Sequence, residues 1–120
     1  KLDAAIFVDT DMIFLRAPGD LWPEFEHFTD QAMVGMVPCR TNSSKQLDKK
    51  CWNSGLILFN ITLLKDFPGG WTQANLEVLA HLKPYGDQEI LSNLFKKIPM
   101  YLHEVSCEWN YRRTQCQEGV

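Results

Sequence analysis

The sequence predicts an α/β fold in which helices cover a mostly parallel or mixed sheet. Short apolar runs of strand length alternate along the chain with segments whose apolar residues recur at helical spacing. The 120 residues are 45% hydrophobic and 12% aromatic, which is enough apolar surface for the core of one domain. We therefore expect one layered domain, without internal repeats or low-complexity segments.

The first predicted strand is Ala4–Val8, where five apolar residues follow one another. A polar segment at residues 9–11 leads into a second apolar stretch at residues 12–15, which a Pro-Gly pair ends. A helix is expected to start at Asp20, because apolar side chains recur at helical spacing after it.

A short apolar strand is predicted at residues 33–37, and the proline that follows is expected to end it. Residues 39–52 form a polar loop of a length that usually belongs to functional or disordered segments. The next apolar run, at residues 54–60, is nearly continuous. Such runs are typical of a central strand that is covered on both faces.

The second half of the chain is predicted to be mainly helical. Helices are expected at residues 62–67, 71–82 and Asp87–Lys97, and a last strand is expected at residues 100–105. Ligands of such sheets gather at the carboxyl ends of strands. Asp9, Asn60 and the loop after Val105 follow predicted strands, so all three are expected at such ends.

The aspartate pair in FVDTDMIF suggests a cation site. Side chains alternate along a strand, so Asp9 and Asp11 are expected on one face and Thr10 on the other. Two neighbouring carboxylates repel each other unless a hard divalent ion such as Mg²⁺ or Mn²⁺ lies beside them. The alternative is a turn aspartate with a solvent-facing neighbour. The apolar flanks favour the metal site.

Two further polar segments are candidates for ligand contact. Asn53, Ser54 and Gly55 precede the central strand, where a glycine permits close approach to the backbone and an amide can bind sugar hydroxyls. A simple loop-to-strand turn would explain them equally well. Asp87 and Gln88 open a helix, where Asp87 is either the N-cap or a contact for a polar ligand.

Several function classes are disfavoured. With 12 basic and 15 acidic residues, the net charge of −3 offers little electrostatic basis for nucleic-acid binding. P-loop, G-x-G-x-x-G and G-x-S-x-G patterns are absent, and the three histidines lack metal-ligand spacing. No apolar run approaches the ~20 residues that span a bilayer, so any membrane anchor is expected outside this chain.

Cysteines and sequons indicate a secretory compartment, with a cytosolic protein carrying free thiols as the alternative. Four cysteines allow three pairings, and their spacing favours the local one, Cys39 with Cys51 and Cys107 with Cys116. The two sequons begin at Asn42 and Asn60. Near the end of the chain, Trp109, Tyr111 and Arg112 are either core aromatics with a loop arginine or a stacking wall for a sugar.

Four segments together resemble the family 8 glycosyltransferases, most closely the glucoside xylosyltransferase group. The segments are FVDTDMIFLRAPGDLW, NSGLILFN, GDQEILSNLF and CEWNYRRTQC, in this order. The resemblance runs along nearly the whole chain. It implies a GT-A type (Rossmann-like) fold, of which these 120 residues would be a fragment of a single catalytic domain.

The resemblance also implies an activity. It suggests a retaining, Mn²⁺-dependent transfer of xylose from UDP-xylose to an O-linked glucose on the EGF-like repeats of a glycoprotein. It further implies a single-pass type II membrane enzyme of the ER or Golgi lumen. The alternatives are a family 8 enzyme that uses UDP-glucose or UDP-galactose, and a glycan-binding or scaffold domain without turnover.

The same resemblance assigns roles to residues. Asp9 and Asp11 would bind Mn²⁺ and, with Thr10, the UDP part of the donor. Asn53, Ser54 and Gly55 would contact the donor sugar, and Asp87 and Gln88 would lie beside the anomeric carbon and the acceptor. The family's nucleotide-binding strands and its histidine metal ligand would lie before residue 1 and beyond residue 120. We therefore expect these residues alone to hold about half a site.

Overall fold

The computed structural model describes residues 2–39, 50–81 and 86–111. Four strands lie in these ranges, β1 (Ala4–Val8), β2 (Val34–Cys39), β3 (Cys51–Asn60) and β4 (Leu102–Glu104). Three α-helices accompany them, α1 (Ile61–Leu64), α2 (Trp71–His81) and α3 (Asp87–Lys97). In addition, 3-10 helices occupy Pro18–His27, Pro99–Tyr101 and Cys107–Asn110. The predicted α/β class, with a mixed sheet and flanking helices, is confirmed.

The four strands form one mixed sheet in the order β1-β3-β2-β4. β3 runs antiparallel to both β1 and β2, whereas β4 runs parallel to β2. The carboxyl ends of β1, β2 and β4 therefore meet the beginning of β3 at one edge of the sheet, here called the β3-start edge. Asn60 pairs with Ala4 at the opposite edge. Asn60 lies at the carboxyl end of its strand, as predicted, but on the opposite edge from Asp9, because β3 runs in the other direction.

Each face of the sheet carries its own hydrophobic cluster. On one face, Ile57 of β3 packs with Met36, Val78 and Phe95 beneath α2 and α3. On the other face, Leu56 and Leu58 pack with Leu21 of the first 3-10 helix and with nearby apolar residues. β3 is therefore covered on both faces, as its continuous apolar run predicted.

The segment after Asp20 is helical, but it forms a 3-10 helix rather than an α-helix. Pro23 lies in its interior. A proline there has no N–H for an α-helical hydrogen bond and clashes with the carbonyl four residues earlier, so the tighter helix forms. Leu21 is still completely buried, as the apolar spacing predicted.

β2 continues through Pro38 to Cys39, so the prediction that this proline ends the strand is wrong. β4 pairs with β2 only from Val34 to Met36. Among the described residues, Pro38 therefore has a neighbouring strand on one side only, and proline is tolerated at such edge positions.

The connection between β2 and β3 is shorter than the predicted loop, because both strands extend into it. Cys39 of β2 and Cys51 of β3 are paired in register and joined by a disulfide, as predicted. Residues 40–49, with the sequon at Asn42, lie outside the described residues. In the described part of the chain, no helix is long and apolar enough to cross a membrane.

Candidate functional site

The backbone connects Asp9 directly to the first half of β3. The last registered pair of β1 and β3 is Val8 with Leu56, and the Asp9 N–H then donates to the Gly55 carbonyl at 2.9 Å. The Asp9 carboxylate covers Gly55, since a Cβ built on this glycine would lie 3.2 Å from Asp9 Oδ2. The glycine does permit a close approach to the backbone, but the approaching group is a carboxylate of the protein, so the predicted approach of a ligand stays a prediction.

Asp9 and Asp11 do not lie on a strand, so the prediction that they share a strand face is wrong. β1 ends at Val8, and Thr10 and Asp11 form a turn in which the Met12 N–H lies 3.4 Å from the Asp9 carbonyl oxygen. The registered pairing of β1 with β3 ends at Val8 and Leu56, and the hydrogen bond from Asp9 to Gly55 follows it before the turn begins. Both carboxylates are exposed to solvent.

The apolar stretch after this turn alternates between half-buried residues, Met12 and Phe14, and exposed ones. Ile13 is 85% exposed and Leu15 is 96% exposed. Residues 11–16 form one wall of a cavity of about 510 Å³, and residues 108–111 form the other wall. Asp11 therefore lines an open cavity, as a ligand-binding carboxylate must, whereas Asp9 is exposed but is not among the residues that line this cavity.

A β-bulge turns Ser54 toward α3. β2 pairs with β3 up to Met36 and Ile57, and pairing resumes at Val37 and Asn53. The three intervening residues of β3 therefore have no partner on β2. Bulges re-aim side chains and occur near active sites. Asn53, Ser54 and Gly55 were expected to precede the strand, but they lie within it.

Ser54 and Asp87 meet at this bulge. The Ser54 hydroxyl donates to Asp87 Oδ1 at 3.1 Å, and the Gln88 N–H donates to the same oxygen at 2.9 Å. Asp87 is the first residue of α3, and Gly86 is its N-cap, so the capping alternative for Asp87 is wrong by one position. Two hydrogen bonds thus orient an exposed carboxylate at the start of a helix.

The disulfide lies beside two of the predicted site residues. Gln88 Nε2 is 3.9 Å from Cys39 Sγ, and Asn53 Oδ1 is 3.6 Å from the same sulfur. Asn53 is completely buried, whereas Gln88 is only half-buried. α3 is held to β3 by Ser92, whose hydroxyl accepts from the Trp52 N–H at 3.0 Å and lies 3.3 Å from the Trp52 carbonyl oxygen.

Asp87 and Asp11 line two different cavities. Asp87 lines an apolar cavity of about 430 Å³ between the sheet and α2, together with Phe7, Ile57 and Trp71. Asp11 lines the cavity on the other side. The neighbouring residues Ser54 and Gly55 connect the two sides, because one contacts Asp87 and the other contacts Asp9.

Asn110 and Arg16 lie at the site although the sequence interpretation passed over both. A Cβ on Gly55 would lie 3.5 Å from Asn110 Nδ2, which is buried. Arg16 lies 3.3 Å from Glu108 and 4.5 Å from the centre of the Trp109 ring, and these contacts join the two walls of the larger cavity. Asn110 could have been found, since it lies inside the CEWNYRRTQC segment.

Trp109 and Tyr111, near the end of the chain, both line the larger cavity. Trp109 packs partly against the second hydrophobic cluster and also lines the larger cavity, so features of both alternatives are present. Tyr111 is 62% exposed. Arg112 and Cys116 lie outside the described residues, so the predicted pairing of Cys107 with Cys116 stays a prediction.

The described residues fit a hard cation only partly. Two exposed carboxylates lie at the β3-start edge, and the glycine beneath Asp9 leaves room for its carboxylate. Within residues 2–39, 50–81 and 86–111, no group of three or more His, Cys, Asp or Glu side chains could hold a metal ion. An ion here would need further oxygen ligands, such as water or phosphate, which Mg²⁺ and Mn²⁺ accept.

Comparisons with known proteins agree with this arrangement. No protein-family model matches the chain. Glucoside xylosyltransferase 1 of Rattus norvegicus is 31% identical over 140 residues, which cover 98% of this chain and 32% of that protein. Glucoside xylosyltransferase 2 of Mus musculus is 28% identical over 145 residues, with 98% and 32% covered. The chain thus spans about a third of the length of these relatives.

A solved structure shows the same fold. Mouse xyloside xylosyltransferase 1 in its apo form superposes with a TM-score of 0.68 at 18% identity, over 88% of this chain and 46% of that chain. The predicted GT-A type of α/β fold is confirmed by this likeness. The chain is therefore a homologue of the glucoside xylosyltransferases along nearly its whole length, built on the fold of a solved xylosyltransferase.

Proposed function

We propose that the protein containing this chain transfers xylose from UDP-xylose to a hydroxyl group of an acceptor glycan. One observation carries the proposal. Asp9 and Asp87, which come from different elements, flank neighbouring residues of β3 through the contacts with Gly55 and Ser54. Homologues named glucoside xylosyltransferase support the choice of sugar.

Asp9 and Asp11 are the residues that would hold Mn²⁺ and the UDP part of the donor, with Thr10 between them in the turn. A bound divalent ion supplies Lewis-acid stabilisation of the charge that grows on the departing diphosphate. The exposed carboxylates and the open cavity beside Asp11 support this assignment. The histidine that completes the site in the family is not among the described residues.

Asp87 and Gln88 would orient the donor sugar and stabilise positive charge at its anomeric carbon. A carboxylate aimed at developing positive charge is a form of electrostatic catalysis. The hydrogen bonds from Ser54 and from the Gln88 N–H fix the Asp87 carboxylate before any ligand binds. We assign retention of configuration to attack on the same face of the sugar, because a glutamine amide is a poor nucleophile.

An O-linked glucose on an EGF-like repeat is our proposed acceptor, and the ER or Golgi lumen is the proposed compartment. The word glucoside in the names of the homologues supports glucose as the acceptor sugar, and the Cys39–Cys51 disulfide supports an oxidising lumen. Anchoring as a type II membrane protein would require a segment outside these 120 residues.

A further relative supports testing other UDP-sugars as donors. A protein of Danio rerio named xylosyl- and glucuronyltransferase LARGE2s is 28% identical over 142 residues, which cover all of this chain and 19% of that protein. Relatives with different names therefore share this segment. UDP-glucose, UDP-galactose and UDP-glucuronate belong in the same test as UDP-xylose.

The test uses the intact protein, an O-glucosylated EGF-repeat peptide and a panel of UDP-sugars, with and without Mn²⁺. We expect xylose transfer that requires Mn²⁺ and that Asp11→Asn lowers by at least a hundredfold. Asp66→Asn is the matched control, since Asp66 is exposed and follows α1 at the opposite edge. Transfer of a different sugar would replace the donor assignment. Absence of transfer from every donor, with glycan binding intact, would favour a binding domain without turnover.

A further inference from the structure

Asn110 carries a buried polar group whose hydrogen-bonding capacity is not used within the described residues. The residue is 8% exposed and ends the 3-10 helix Cys107–Asn110. Its Nδ2 atom is inaccessible to solvent and has no hydrogen-bond partner there. Buried donors in native proteins are nearly always paired, because an unpaired one loses its hydration without compensation. The amide therefore calls for a functional explanation.

The Asp9 carboxylate lies near this amide, on the other side of Gly55. Asn110 Nδ2 and Asp9 Oδ2 lie 3.5 and 3.2 Å from the same point, the position that a Cβ on Gly55 would occupy. Only the absence of a side chain at Gly55 leaves space where the two groups can approach each other. The Asp9 side chain is exposed, whereas Nδ2 is closed off from solvent. A ligand can thus reach Asp9 but not this nitrogen.

We propose that Asn110 is a positioning residue for Asp9. When Asp9 binds a divalent cation, the Asn110 amide donates a hydrogen bond to the Asp9 carboxylate and holds it in one orientation. Carboxylates that bind metals are typically oriented by such hydrogen bonds from outside the ligand set. An amide suits this task because it is neutral and leaves the negative charge of the carboxylate available to the cation. A lysine or arginine at this position would compete with the ion.

The inference rests on the proposed function, in which Asp9 binds Mn²⁺, and it deepens that function. It is tested on the intact protein by titrating Mn²⁺ and following the electron paramagnetic resonance signal of the free ion. Thermal unfolding and the Mn²⁺ dependence of transfer are measured in parallel. The variants are Asn110→Leu, which removes the amide at similar size, and Asn110→Asp, which replaces the donor with a second carboxylate.

We expect Asn110→Leu to unfold at the wild-type temperature or higher, because it removes an unpaired buried donor, and to bind Mn²⁺ about tenfold more weakly. Transfer at saturating Mn²⁺ should stay near the wild-type rate. The effect should appear instead as a higher Mn²⁺ concentration for half-maximal transfer. Asn110→Asp should also weaken Mn²⁺ binding. If the leucine variant does not fold, this second variant still tests whether the Asn110 amide positions Asp9. Asn93→Leu is the control, since Asn93 is half-buried on α3 and its amide donates to the Glu89 carbonyl in a solvent-exposed hydrogen bond.

The outcomes separate this inference from the proposed function. If both Asn110 variants keep the wild-type Mn²⁺ affinity while Asp9→Asn loses it, Asn110 has no positioning role and the cation site stands. If the wild-type protein binds no Mn²⁺, the cation site fails and the inference fails with it. A leucine variant that loses stability and keeps its Mn²⁺ affinity would make Asn110 a structural residue.

Discussion

The backbone of Gly55 and the carboxylate of Asp9 pack so closely that a methyl group at position 55 would lie 3.2 Å from Asp9 Oδ2. The same methyl group would lie 3.5 Å from Asn110 Nδ2 and 3.7 Å from Met12 Sδ. A contact of 3.2 Å can be relieved only if the carboxylate moves by a few tenths of an ångström. The position of Asp9 therefore depends on a residue that has no side chain.

We predict that Gly55→Ala lowers Mn²⁺-dependent transfer by about tenfold or more, because small displacements of catalytic groups are costly to the rate. The folded state should change little in stability, since Asp9 is exposed and can move outward. Gly19→Ala is the matched control, because a Cβ there would meet nothing within 4 Å. Rates at several Mn²⁺ concentrations and unfolding curves would measure the effect. Equal rates for both variants would show that the Asp9 carboxylate tolerates the shift.

Single residues at the opposite edge have structural roles. The Asn60 side chain caps α1, because its Oδ1 accepts the Leu63 N–H at 3.2 Å. Thr62, the third residue of the same sequon, donates from its hydroxyl to Asp3 Oδ1 at 3.2 Å. Both side chains of this sequon are thus engaged in the folded state, and glycosylation at Asn60 stays a prediction.

At the scale of elements, the bulge in β3 explains how two separate sets of residues reach one site. Trp52 and Ile57 both belong to the cluster beneath the helices, although an uninterrupted strand would put them on opposite faces. The three residues of β3 that have no partner on β2 change this alternation. Ser54 therefore reaches Asp87, while Gly55 lies beneath Asp9.

The disulfide holds β2 and β3 together just beyond the bulge. Cys39 and Cys51 are 12 residues apart in sequence, and both Asn53 and Gln88 contact Cys39 Sγ. Closing a loop of this length restricts the unfolded chain, so the disulfide should contribute about 3 kcal/mol to the free energy of unfolding.

We predict that the double variant Cys39→Ala, Cys51→Ala loses about 3 kcal/mol of unfolding free energy, measured by urea denaturation without reductant. The wild-type protein after mild reduction should approach the variant. Transfer activity should fall as well, because Gln88 loses a contact on one side. An unchanged denaturation midpoint would show that the strands hold this end of the sheet without the covalent link.

At the scale of the whole molecule, one face of the sheet is packed so tightly that it leaves no room for an added methyl group at Gly35. On the face opposite α2 and α3, Gly35 of β2 allows Phe28 to pack directly against the sheet. A Cβ at Gly35 would lie 2.8 Å from Phe28 Cζ and 3.2 Å from Leu58 Cβ. Phe28 in turn stacks with Phe25 and with His103, which is paired to Glu24 at 2.9 Å.

We predict that Gly35→Ala destabilises the fold by about 1–3 kcal/mol, because overpacking forces Phe28 out of its place. Adding Phe28→Leu should restore part of the loss, since the shorter side chain makes room for the methyl group. Thermal unfolding of the two single variants and the double variant forms a double-mutant cycle. Strictly additive effects would mean that Gly35 and Phe28 do not interact.

Local sequence patterns predicted a helix or strand well where its apolar residues follow one regular spacing. The apolar spacing in α3, the continuous apolar run of β3 and the five apolar residues of β1 each identify an element within a few residues of its observed bounds. The order of motifs along the chain pointed to the glycosyltransferases, and the named homologues agree with it. These features depend on neighbouring residues, which the sequence displays directly.

Tertiary structure alone decided which residues meet. The antiparallel direction of β3 places Asn60 at the opposite edge from Asp9. The pairing of β1 with β3 ends at Val8, so Thr10 and Asp11 lie in a turn rather than on a strand. The bulge in β3 and the burial of Asn110 were equally beyond the sequence patterns. Each of these features depends on hydrogen bonds between strands that are far apart in the sequence, or on packing between layers. Such interactions leave no periodic pattern in the local sequence.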